Sequence, residues 1–270
     1  MKKHSMTIRG RRLAYLDEGE GPVLLLGHSY LWDSAMWAPQ LDALKGHYRC
    51  IVPELWGHGE SDAAPEGGLT LASLARDHLA LLDGLGIEAF TLIGLSIGGM
   101  WGLELAQLAG SRLRALVLMD TFVGLEPQIP CQRYLGMLAM IEQAGAIPAP
   151  VIEQVAPLFF AHQPEPAQLA GFKARLAAWP ADKLAAMVAV GRSFVTRSDR
   201  MEWLEVLTCP TLVMTGSEDK ARPVLEGYLM AEARGCRFIE IPGAGHIATL
   251  EQPAAVNRAL RHFLDECHQG

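Results

Sequence analysis

The chain has 270 residues, half of them apolar and one fifth charged, which fits a single α/β-sized globule with a core large enough to need no disulfide staples. The net charge is −7 with no basic run, which excludes nucleic acid as an expected partner and disfavours an anionic membrane surface. Five cysteines, an odd number with no Cys-x-x-Cys pair, point to a reduced compartment and to no metal-ligand set.

No apolar stretch follows Lys2, Lys3 and His4 before Arg9, Arg11 and Arg12, so no signal peptide is expected and the expected location is cytoplasmic. Residues 6–9 and 12–17, joined at Gly10, predict a hairpin. Gly19-Glu20-Gly21-Pro22 is a turn, and the apolar run 23–26 leads into a loop at Gly27-His28, as for a strand buried on both faces of a parallel sheet. A helix is expected over 34–44, with Trp37, Leu41 and Leu44 on one face, and a strand over 48–52. The loop 53–61 contains Gly57-His58-Gly59-Glu60-Ser61. Residues 70–85 carry a helical apolar stripe with Thr70 as N-cap.

Phe90-Thr91-Leu92-Ile93 reads as a buried strand, and Met100, Leu103, Leu105, Ala106 and Leu108 recur at helical spacing up to Gly110. The length of this apolar stretch could suggest a membrane span, but Glu104, Gln107, Gly94, Gly98 and Gly99 suit a buried strand and helix. A strand over 116–120 follows. From 124 to 199 the alternation stops: helices are expected over 131–144, 151–161, 167–179 and 181–194, divided by Pro148, Pro150, Pro164, Pro166 and Pro180. Alternation resumes with strands over 211–215 and 237–241 and helices over 223–233 and 253–267. The pattern predicts a mostly parallel eight-stranded sheet covered by helices on both faces, with core segments 1–123 and 200–270 and an inserted helical cap over 124–199.

Chemistry centres on Gly94-Leu95-Ser96-Ile97-Gly98, between the expected strand and helix. Glycines two residues either side of Ser96 allow a turn too sharp for a Cβ, and they lift the hydroxyl above a helix N-terminus that favours developing negative charge. This is the G-x-S-x-G elbow in its strand–turn–helix context. Here the chain resembles the α/β-hydrolase fold superfamily, above all capped serine esterases and 3-oxoadipate enol-lactonase-like hydrolases. The resemblance covers essentially the whole chain outside the cap.

A serine hydroxyl needs a base within hydrogen-bond reach, and the base needs a group to orient it. His246 ends the tight loop Pro242-Gly243-Ala244-Gly245 after a strand, at the position where the resemblance places the base. Asp219 follows the strand ending near Thr215, in Gly216-Ser217-Glu218-Asp219. Glu218 is a neighbouring competitor, and Asp120, after the preceding strand, is a second place for the acid. The family's turn pattern selects Asp219, and the order Ser96, Asp219, His246 is the family order. The resemblance also implies an oxyanion hole formed by the backbone N–H groups of Ile97 and Tyr30. There Ser29 replaces a glycine usual in the family, which puts Tyr30 in question. His28 is expected to buttress this loop, and His58 to be structural. Tyr30, Trp32 and Phe122 are candidate pocket walls, whereas Trp37 and Trp101 suit the core. The expected activity is cofactor-free hydrolysis of a small carboxylic ester or lactone through an acyl-enzyme, with no metal. Enol-lactone hydrolysis, carbon–carbon bond hydrolysis, cofactor-free peroxidation and a slow-turnover ligand sensor are the alternatives.

Overall fold

The computed structural model describes residues 2–268. The strands are β1 (Lys3–Ile8), β2 (Arg11–Glu18), β3 (Val23–Gly27), β4 (Arg49–Pro53), β5 (Phe90–Leu95), β6 (Leu113–Met119), β7 (Thr211–Gly216) and β8 (Arg237–Ile241). The longer helices are α1 (Ala38–Leu44), α2 (Leu71–Gly84), α3 (Ile97–Ala109), α4 (Gln128–Ala144), α5 (Ala149–Val155), α6 (Pro166–Ala177), α7 (Leu184–Val195), α8 (Met201–Glu205), α9 (Val224–Arg234), α10 (Ala248–Glu251) and α11 (Pro253–His268).

All eight strands form one sheet in the order β1-β2-β4-β3-β5-β6-β7-β8. The β1–β2 and β2–β4 pairs are antiparallel and every other pair is parallel. Its central strands are apolar on both faces, which alternation across the pleat makes explicit. Leu24, Leu26, Ile93, Leu95, Val117, Met119, Leu212 and Met214 join Trp37 and Leu41 beneath α1 and Val256 and Leu260 of α11 on one side. Leu25, Leu92, Leu116, Leu118 and Val213 join α2, α3 and Met230 of α9 on the other.

The expected alternation of strands and helices is present, and so is the helical stretch between β6 and β7. Three expected helices are divided in the structure: the one over 181–194 is a 3₁₀ turn at Ala181–Lys183 followed by α7, and two others divide as well. The helix expected over 34–44 is a 3₁₀ turn at Ser34–Trp37 followed by α1, and the one over 151–161 is α5 followed by a 3₁₀ turn at Ala156–Phe159. In these two, Pro39 and Pro157 stand in the first two positions of the second piece. Neither has an N–H to continue the preceding ladder. Trp37 and Trp101 are fully buried, as expected of core residues. Among the described residues no helix is long and apolar enough to cross a membrane.

Candidate active site

Ser96 stands between β5 and α3 at φ 58° and ψ −123°, a backbone state that a side chain rarely adopts. Two hydrogen bonds hold it there. The Ser96 N–H donates to the Met119 carbonyl at 2.9 Å, and the Thr121 hydroxyl donates to the Ser96 carbonyl at 2.7 Å. Added Cβ atoms explain the two glycines. One on Gly94 would run into the Gly98 carbonyl, and one on Gly98 into the Gly27 carbonyl. Close approach, not flexibility, is what those positions require.

His246 and Asp219 meet in space. The His246 Nδ1–H donates to Asp219 Oδ2 at 2.8 Å, and both side chains are almost wholly buried. Asp219 Oδ1 accepts the backbone N–H groups of Ala221 and Arg222, each at 2.8 Å. Both oxygens of the carboxylate therefore have partners, one of them the imidazole. That bond fixes the tautomer, leaving Nε2 of His246 as the available base atom. No hydrogen bond of ordinary length joins Ser96 Oγ to His246 among the described residues, although both line one cavity. Such bonds are often long before substrate arrives and shorten in the reacting complex.

Neither alternative acid meets His246 among the described residues. Glu218 Oε2 accepts both the backbone N–H of His162 at 2.6 Å and a hydrogen bond with its ring at 2.8 Å, and these contacts lower the Glu218 carboxyl from its ordinary range. Asp120 is buried and its Oδ1 accepts the Gly216 N–H at 2.7 Å.

The loop after β3 is built by two histidines. The His28 Nδ1–H bonds the Ser29 carbonyl at 2.8 Å while its Nε2 accepts the Leu55 N–H at 2.9 Å. The His58 Nδ1–H bonds the Trp56 carbonyl at 2.9 Å while its Nε2 accepts the Leu31 N–H at 3.2 Å. Each ring acts as donor and acceptor at once, which only the neutral imidazole can do. Burial agrees, pushing His28 down and His58 down to about 3. Ser29, where the resemblance leads one to expect glycine, is not among the residues at positive φ; Leu31 is, at 65°. A side chain at 29 therefore costs no backbone strain. Ile97 is the first residue of α3, so its N–H has no partner within the helix.

Ser96, His246 and Tyr30 face a cavity of about 90 Å³, walled by Met137, Leu138 and Ile141 of α4 and by Val151 and Val155 of α5. The Tyr30 hydroxyl crosses to α7 and donates to the Met187 carbonyl at 3.0 Å. Trp32 and Phe122, expected as walls, do not line it. Trp32 lies flat against Phe172 of α6, 4.6 Å between ring centres, and packs the helical segment down. Phe122 is half-buried on the opposite side of the sheet, with the cluster that includes α3 and Trp203.

Sequence reasoning missed two supports. Glu251 accepts the Gly245 N–H at 2.8 Å through one oxygen and the Ala161 N–H at 2.9 Å through the other, tying the His246 loop to the helical segment. Glu126 accepts from Arg222 at 2.5 Å and from Arg197 at 2.8 Å, and Glu226 adds a second carboxylate beside Arg222 on the cavity wall. Arg222 lies three residues after Asp219, a weak signal; nothing local marks Glu126 or Glu251.

The arrangement sets a serine at a strained strand–helix turn and a histidine–aspartate pair around one cavity. A model of the alpha/beta hydrolase fold matches residues 22–253, and the chain belongs to that family. Its sequence is 27% identical over 260 residues to 3-oxoadipate enol-lactonase 1 of Acinetobacter baylyi, covering 93% of each chain. A solved thermophilic esterase from Thermogutta terrifontis superposes with a TM-score of 0.89 at 28% identity, covering 99% of this chain and 100% of that one. The enol-lactonase from Burkholderia xenovorans LB400 superposes at 0.81, also at 28% identity, covering 97% and 99%.

Proposed function

We propose that the protein is a serine hydrolase that cleaves a small carboxylic ester or lactone through an acyl-enzyme, with Ser96 as nucleophile, His246 as base and Asp219 as the acid that orients it. The observation that carries this reading is the 2.8 Å contact of His246 Nδ1 with Asp219 Oδ2 at a cavity that also receives Ser96. In the first half-reaction His246 Nε2 takes the Ser96 proton as Oγ attacks the carbonyl carbon. The oxyanion forms against the N–H groups of Ile97 and Tyr30, donors that need no reorganisation as charge develops. The alkoxide leaves with the proton from His246, and water attacks the acyl-enzyme by the same path in reverse. Asp219 stays ionised and stabilises the imidazolium.

Residues 124–199 act as a cap in this scheme, supplying the apolar wall for the acyl group. The cavity has room for roughly three water-sized groups, which favours acyl chains of about two to four carbons. The pairing of Arg222 with Glu126 supports an uncharged acyl chain over one ending in a carboxylate.

A panel of p-nitrophenyl esters tests the proposal. The expected result is sustained multiple turnover, fastest with the acetate or butyrate and falling by about tenfold or more with the octanoate. A fluorophosphonate should label Ser96 alone. A single stoichiometric burst would favour the ligand-sensor alternative, and label on any other residue would reject the nucleophile.

A further inference from the structure

Asp120 is a buried acid that the proposed reaction leaves without work. It follows β6 directly, at φ 44°, and its backbone N–H continues the pairing with β7 by donating to the Met214 carbonyl at 2.9 Å. Its Oδ1 accepts the Gly216 N–H at 2.7 Å. Gly216 in turn accepts the Asp219 N–H at 3.1 Å, so the Asp120 carboxyl sits under the turn that presents Asp219. Its Oδ2 is sealed from solvent, and no N–H or hydroxyl group among the described residues donates to it. A buried carboxylate oxygen in that condition is costly.

The groups around it come from three elements. Gly216 of β7 offers an N–H to Oδ1. The carboxylate of Asp219 lies alongside, and Glu251 of α10 adds a further negative charge. Burial and both acidic neighbours push the Asp120 carboxyl well above its usual range. Two carboxyl groups sharing one dry site do not both ionise, and the one facing His246 is the one stabilised in its charged form by two backbone N–H groups.

We infer that Asp120 is a positioning residue for Asp219: its Oδ2 carries a hydrogen donated to the Asp219 carboxylate, while its Oδ1 fixes the Gly216 N–H. The neutral carboxyl thus locks the turn from both sides and leaves a single negative charge opposite His246. Asp120 never touches substrate, so its effect falls on kcat and not on KM. Because the donated hydrogen bond draws charge from Asp219, losing it leaves more negative charge opposite the imidazole, which moves the acid limb of the rate profile to higher pH.

The inference rests on the reading of Asp219 as the acid, and two measurements separate the two ideas. The first is an infrared difference spectrum at pH 7 of the wild-type protein against Asp120→Asn. A protonated carboxylic acid band that vanishes in the variant is expected, whatever Ser96 does. The second is the pH profile of p-nitrophenyl acetate hydrolysis for Asp120→Asn and Asp120→Ala. Asparagine reproduces both contacts, its amide N–H₂ for the donated hydrogen and its oxygen for Gly216, and should keep kcat within about threefold with the acid limb unmoved. Alanine removes both and should lower kcat about tenfold or more at unchanged KM, moving the acid limb to higher pH. No protonated band, or an asparagine variant as impaired as the alanine one, overturns the inference. Should the alanine variant fail to fold, the band and the asparagine profile still decide it. With the band present, failure of fluorophosphonate to label Ser96 sinks the hydrolase reading alone.

Discussion

Asp219 shows how much one carboxylate can be asked to do. Its Oδ1 is held by two backbone N–H groups of its own loop and its Oδ2 by His246, so its place depends on the loop and not on a flexible side chain. Asp219→Asn keeps the shape but presents an amide to Nδ1, which favours the wrong imidazole tautomer. Turnover of p-nitrophenyl acetate should fall by about 10⁴. A near-normal rate would hand the acid's role to another group. Which carboxylate meets the imidazole was only partly legible from the residues. Glu218 and Asp219 are adjacent, and nothing in their spacing says which one turns inward. The packing of the turn decides it, with Ser217 N–H on Ile241 O and Glu218 N–H on Ala244 O pinning the backbone so that Asp219 faces the sheet end. The aromatics were less legible still. Trp32 and Tyr30 are two residues apart, yet Tyr30 reaches the cavity and Trp32 lies against Phe172.

At the level of elements, legibility followed the range of the forces involved. The strand, turn and helix around Ser96 were readable because the hydrophobic period and the close approach of Gly94 to Gly98 are local, although the clash that bars a Cβ on Gly98 itself comes from Gly27 of β3. The start of α2 was readable for the same reason. Thr70 accepts the Ser73 N–H at 3.0 Å, and the Ser73 hydroxyl is within 2.8 Å of the Thr70 N–H, a reciprocal cap written within four residues. Thr70→Ala should cost about 1 kcal/mol of stability, read as a lower midpoint of denaturant unfolding with an unchanged slope. No change in midpoint would mean that packing alone defines the helix end. The helix boundaries at residues 34–44 and 151–161 were misread because an apolar stripe passes smoothly through Pro39 and Pro157, whereas the hydrogen-bond ladder does not.

Across the whole molecule, buried imidazoles tie stability to pH. Burial holds His58 down at about 3 and His78, stacked on Trp101 at 4.1 Å, down at about 4, from 6.5. In the unfolded chain both take a proton as the pH falls through 6.5; in the folded chain neither does until about pH 4. Between those limits the unfolded state binds more protons, so folding stability must drop as the pH is lowered, by about 3 kcal/mol for His78 alone. Above pH 6.5 the two imidazoles contribute no slope. Thermal midpoints measured between pH 7 and pH 4.5 should fall, and fall less in His78→Gln. Equal slopes in the two proteins would show that other groups carry the acid sensitivity. His58 also serves the site, since its neutral ring holds the Leu31 N–H beside Tyr30.

The sequence by itself determined the alternation of strands and helices, the sharp turn at Ser96 and the loops in which a base and an acid stand. Those features are set by hydrophobic period and by clashes between residues a few places apart. The family's turn pattern pointed to Asp219 over Glu218, and the tertiary structure brings Asp219 to His246; only the tertiary structure decided that α4 and α5 wall the cavity while Trp32 and Phe122 do not. It also placed Asp120 beneath the Asp219 turn. Those outcomes depend on which way side chains face when segments nearly a hundred residues apart pack together, and no local pattern encodes that direction.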